Sequence, residues 1–137
     1  MATIDASANG SATLGNPRVL TQVFDASENN LAQTETAGVL NIPAKCRVLY
    51  VFWEVLTVEG AARNFSIGDG TDPDGWLTTT TGNTLANGVA NGAYAVLTGA
   101  STGGKYYAAA DQIDVIADTA GGLTGLKLKV SALIVDF

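Results

Sequence analysis

Thirteen acidic side chains, seven basic ones and no histidine bound the chemistry open to this chain. Without histidine there is no Ser-His-Asp or Cys-His arrangement, no imidazole base and none of the usual zinc sites. The single cysteine, Cys46, rules out an intrachain disulfide and a four-cysteine metal cluster, and it reads as a buried structural thiol at the start of an apolar strand. Carboxylates remain. Glu54, between Trp53 and Val55, is the one acid in a strongly apolar setting. It reads as one half of an interface ion pair, with Arg18, Arg47 or Arg63 as partner, rather than as half of a hydrolytic carboxylate pair. Asp69, Asp72 and Asp74, set among glycines, offer the hard oxygens that calcium takes. An EF-hand register through them would need acids where Gly70 and Thr81 stand, so the segment reads instead as a tight turn. There the Asp side chains bond their own backbone, Pro73 fixes φ and Gly75 takes positive φ. No catalytic residue, cofactor or metal is expected, and Asp69, Asp72 and Asp74 stand only as a weak calcium candidate.

Two further patterns have plain explanations. Gly99 to Lys105 has the glycine and lysine spacing of a phosphate loop, but Tyr106 follows where Ser or Thr must hold magnesium. Trp53, Trp76, Tyr94, Tyr106 and Tyr107 offer stacking surface for sugars, with Trp53 assigned to the core and Trp76 to the surface. The net charge of −6 comes with scattered basic residues, so the footprint that nucleic acid requires is missing. No run approaches the ~20 apolar residues of a membrane helix, and no signal peptide opens the chain, so synthesis and retention in a cytoplasm are expected.

The elements that must carry these residues are strands. Apolar residues make up 47% of the 137 and charged ones 15%, enough for one core without staples. Residues 1–17 contain only Ile4 and Leu14 as large apolar side chains and read as an extended or disordered arm ending at Pro17. Residues 18–137 read as one domain. Alternation marks strands at Arg18–Phe24, Gly38–Ile42, Lys45–Val58, Arg63–Ile67, Trp76–Thr80, Tyr94–Leu97, Lys105–Ala108 and Gln112–Ala117, with a last one after Leu126. No window has helical periodicity. Eight or nine strands with Gly, Asn and Pro turns predict an all-β antiparallel sandwich of jelly-roll type.

The strand from Lys45 to Val58 is apolar on both faces. Strict alternation sets Leu49, Val51, Trp53 and Val55 against Val48, Tyr50, Phe52, Leu56 and Val58. A sandwich strand needs only one apolar face, and leaving the other wet forfeits on the order of 10 kcal/mol. The last strand repeats the pattern, with Leu133, Val135 and Phe137 opposite its core face. Tyr50, Phe52, Glu54, Leu56, Leu133, Val135 and Phe137 are therefore the expected contacts between copies. The arm (Ile4, Leu14, Pro17) and the glycine-rich 82–104 loop (Asn87, Asn91) are the expected contacts with other proteins.

The block from Phe65 to Leu77, then Lys105 to Val115 and the terminal Val135-Asp136-Phe137, resembles the β-sandwich decoration (cement) proteins and related structural proteins of tailed-bacteriophage virions. The resemblance covers about Lys45 to Phe137. It implies a non-enzymatic homotrimer on the head surface, made in the host cytoplasm, clamping the major capsid protein, with no nucleic-acid or membrane partner. The alternative is a tail or fibre module that binds host-surface glycan through Trp76 and tyrosines.

Overall fold

A computed structural model describes residues 17–81, 93–96 and 104–136, with 80–81 and 93–96 through their backbone. Among the described residues nine strands are formed: β1 (Arg18–Asp25), β2 (Thr36–Ile42), β3 (Cys46–Thr57), β4 (Asn64–Gly68), β5 (Leu77–Thr81), β6 (Ala93–Val96), β7 (Lys105–Tyr107), β8 (Asp111–Ala117) and β9 (Lys127–Asp136). Each lies within a few residues of a predicted strand. Ile4, Leu14, Asn87, Asn91 and Phe137 lie outside the described residues. Pro17 is exposed, immediately before β1.

All strand pairs are antiparallel and form two sheets. The five-stranded sheet runs β1-β9-β3-β6, with β7 on β3 beside β6, and the four-stranded sheet runs β2-β8-β4-β5. Short β6 and β7 pair with different stretches of β3, Phe52–Val55 and Cys46–Val48. The core lies between the sheets. One contributes Val48, Val51, Trp53, Val55, Leu128, Val130 and Ile134; the other contributes Leu40, Ile42, Phe65, Ile67, Ile113 and Val115. Leu31 and Leu123 pair across two loops and close one end.

The two apolar faces of β3 are not those of strict alternation. Leu49 is an extra residue between Val48, opposite Ile134, and Tyr50, opposite Leu133. Leu56 is a second, between Val55 and Thr57. Each bulge flips the parity of the residues beyond it. Val48 therefore joins Val51 in the core rather than Tyr50 on the far face, and Val58 packs against the core as well. Leu49 and Leu56, the bulged residues, are half-buried. Of the expected second face of β3, Tyr50, Phe52 and Glu54 are placed on the outward side by their partners on β9, whereas Leu56, the bulged residue, has no partner that fixes its side.

Cys46 is fully buried as expected, its thiol donating to the Pro43 carbonyl at 3.0 Å, and burial raises its pKa. The polar Asp25–Thr36 connection is a loop, and the Asp25 carboxylate caps its first turn. Asp25 Oδ1 accepts from the Ser27 N–H at 3.0 Å and its hydroxyl at 2.6 Å.

Candidate functional site

The outward face of the five-stranded sheet is ordered in transverse rows. Val19, Leu133 and Tyr50 form one; Thr21, Ser131 and Phe52 the next; Val23, Lys129 and Glu54 a third. Arg47 stands between Val135 and Tyr106 in a fourth. Thr21 and Ser131 share a hydroxyl hydrogen bond at 3.0 Å, and Glu54 is ion-paired with Lys129 across the strands. Glu54 thus has a counter-charge on β9 within its own chain, Lys129, which is not among the expected partners Arg18, Arg47 and Arg63. Arg18 is instead paired with Asp136 at 3.2 Å.

Among the described residues, the large apolar side chains left most exposed are Val19 (54%), Tyr50 (53%), Tyr106 (45%) and Val23 (44%). All four lie on this one face, with half-buried Phe52, Leu133 and Val135 among them. An apolar surplus does exist, but four strands share it instead of β3 carrying it alone. Concentration on a single face distinguishes it from the scattered exposed hydrophobics of any soluble protein.

The acidic turn is tied inward. Asp69 is 3% exposed. Its Oδ1 accepts the backbone N–H groups of Thr71 and Asp72, both at 2.9 Å, as the turn reading expects. Its Oδ2 receives Lys105 Nζ at 2.5 Å and the Tyr107 hydroxyl at 2.6 Å, while Trp76 Nε1 donates to Tyr107 Oη at 3.1 Å. Burial alone would raise the Asp69 pKa; the bonds from Lys105, Tyr107 and the two amides outweigh it and hold the carboxyl below its ordinary range. Lys105 therefore neutralises Asp69, a role no phosphate-loop spacing implies. Gly75 is not at positive φ as expected. A Cβ there would stand 2.9 Å from the Asp72 carboxyl carbon, so a larger residue would require the Asp72 side chain to move. Asp72 and Asp74 are exposed, and among the described residues no three Asp, Glu, Cys or His side chains converge.

Both tryptophans are buried, Trp76 at 5% exposure. Its indole N–H belongs to the Asp69 network, so the expected exposed stacking residue is a structural one. Tyr107 is buried too, and only Tyr50 and Tyr106 are exposed among the tyrosines with described side chains.

Sequence reasoning missed two acids. Glu59, 2% exposed, accepts the backbone N–H groups of Thr124, Gly125 and Leu126 at 3.0–3.1 Å and anchors the loop before β9. Asp114, 8% exposed, points outward from β8 in the four-stranded sheet. Desolvation, then the charges of Asp111 and Asp69, push its pKa up to about 6. The folded chain thus holds this proton more tightly than the unfolded one, so stability falls as pH rises from about 4 through 6. Asp114→Asn is expected to be more stable than the wild type by about 1–3 kcal/mol above pH 7, with the gap closing below pH 4. Urea unfolding at both pH values checks this, and equal curves at high pH would refute it.

No protein-family model and no curated protein matches this sequence. Its fold matches solved chains from three phage capsids. A chain of the capsid of Ralstonia phage GP4 aligns with a TM-score of 0.66 at 13% identity, over 93% of this chain and 88% of that one. A chain of the acidic stable capsid of Helicobacter pylori bacteriophage KHP30 aligns at 0.65 and 11% identity, over 90% of each. One from the Cyanophage Pam1 capsid asymmetric unit aligns at 0.62 and 18%, over 93% and 90%. At such identities the likeness is one of fold.

Proposed function

We propose that this chain is a non-enzymatic structural subunit of a phage virion, of the decoration type. It seats on the head as a homotrimer and holds neighbouring major capsid proteins together. The observation that carries the reading is the single apolar face of the five-stranded sheet, made by Val19, Val23, Tyr50, Phe52, Tyr106, Leu133 and Val135. Fold likeness over 90–93% of this chain to chains of three phage capsids supports it. The strand orders support a jelly-roll winding, with β6 and β7 as two pieces of one edge strand.

Charge favours a second copy as the cover. The chain carries −6 overall, yet this face presents Arg47, Lys127 and Lys129 against Asp25 and Glu54. The carboxylates Asp69, Asp72, Asp74, Asp111 and Asp114 belong to the acidic turn and to β8. Two copies meeting through the five-stranded sheets avoid the repulsion that an approach through the acidic turn and β8 meets. Three such faces turned to a common axis bury the apolar rows and leave the acidic side outward. The arm through Ile4, Leu14 and Pro17 and the loop with Asn87 and Asn91 then reach the capsid lattice, where many modest contacts add by avidity. Phe137, expected from the sequence to be a contact between copies, is proposed as part of the same interface. The product is made in the host cytoplasm and ends on the head surface.

Sedimentation of the full chain at about 10 µM is expected to give a species of three times the 14.0 kDa chain mass. A single-chain mass at that concentration contradicts the assembly.

A further inference from the structure

We propose that Asp114 is the floor of a cation-receiving trough on the outer face of the four-stranded sheet, shaped for an arginine guanidinium from a protein partner. The Asp114 side chain makes no hydrogen bond or ion pair among the described residues, and its oxygens still reach the surface. Its ladder neighbours on that face are Gly38 on β2 and Gly68 on β4. Side chains at such positions stand about 5 Å apart at Cβ, and here both are missing.

Acceptor oxygens fill the two gaps. Over Gly38 lies the Gln112 amide, with Oε1 nearest and Nε2 already donated to Asn41 Oδ1 at 2.8 Å. Over Gly68 lie the carbonyl oxygens of Asp72 and Pro73. Asp72 O already accepts the N–H groups of Asp69 and Gly75, which leaves the Pro73 carbonyl as the freer acceptor. Asp111 on the same strand and Asp69 beyond β4 are the charged groups that act on Asp114, and both are acidic; Asp69 is answered by Lys105. A carboxylate set between acceptors lacks its counterpart, an arrangement that native structures rarely leave empty.

One formal charge flanked by neutral oxygens is a poor match for a divalent metal, which wants several charged ligands. It suits a planar guanidinium, whose fork engages the carboxylate while its remaining N–H groups reach sideways to Gln112 Oε1 and Pro73 O. The trough would serve a partner inside a shell or out of one.

Carbon-13 NMR of the labelled full-length chain tests this by following the Asp114 carboxyl through its titration. N-acetyl-arginine amide at about 100 mM is expected to lower the Asp114 midpoint by at least half a unit more than sodium chloride of equal ionic strength. Asp72 and Asp74, exposed on the acidic turn, should respond alike to both salts. An Asp114 midpoint that moves no further with arginine amide than with sodium chloride overturns the proposal. So does a larger shift with N-acetyl-lysine amide, or with 5 mM calcium chloride, which would make this an ammonium or a metal site.

Discussion

Asp69→Ala is expected to cost about 2–4 kcal/mol of folding stability, the largest loss from any single polar substitution among the described residues. One carboxylate satisfies two turn amides, the Lys105 ammonium and the buried Tyr107 hydroxyl, which in turn receives the Trp76 indole N–H. Alanine leaves the Tyr107 hydroxyl proton without its acceptor, frees the Thr71 and Asp72 amides, and strands a cation that is itself about one-third exposed. That partial exposure keeps the figure below the top of the range for buried ion pairs. Because the Asp69 carboxyl is held below its ordinary pKa, its contribution is fully present above pH 4 and disappears as pH falls through the depressed value. Denaturant unfolding at pH 7 should show the full deficit, and acid should narrow it. A loss under 1 kcal/mol at pH 7 would mean that the network does not fix the β4–β5 turn.

The second large effect concerns assembly. Replacing the cross-strand pair by opposite charges, Tyr50→Glu with Leu133→Lys, lets the two new side chains attract each other within one chain. The subunit should keep its fold, with unfolding shifted by no more than a few degrees. Self-association is expected to weaken by at least a hundredfold, since the apolar centre is lost and two charges must be dehydrated in every contact. Sedimentation of the double variant at the concentration where the wild type associates should therefore give the single-chain mass. An unchanged assembled mass would place the contact elsewhere.

Strand positions are legible because alternation writes burial directly into sequence, as Leu126, Leu128, Val130, Ala132 and Ile134 do at the end of the chain. Bulges are not. Leu49 and Leu56 are ordinary strand residues, and nothing in their types marks them as extra; only pairing with β9 does. That is why strict alternation puts Val48 and Val58 on the wrong face. Long-range polar contacts are hidden for another reason. Asp69 announces a turn, but its partners Lys105 and Tyr107 lie 36 and 38 residues away in sequence, so topology alone brings them together. The Trp76 side chain looks available because its strand begins beside a polar turn, whereas its indole is drawn inward by Tyr107. Asp114 gives a faint signal, an acid between Ile113 and Val115, but the glycines beside it belong to two other strands.

Carbene footprinting of the intact chain, above and below its self-association concentration, reports most directly on whether sister copies dry the outward rows. Labelling at Val19, Val23, Tyr50 and Leu133 should fall severalfold on association, while the exposed Thr78, Thr79 and Ala108 label equally in both conditions. Unaltered labelling of those rows in a sample that sediments as an oligomer would contradict the account.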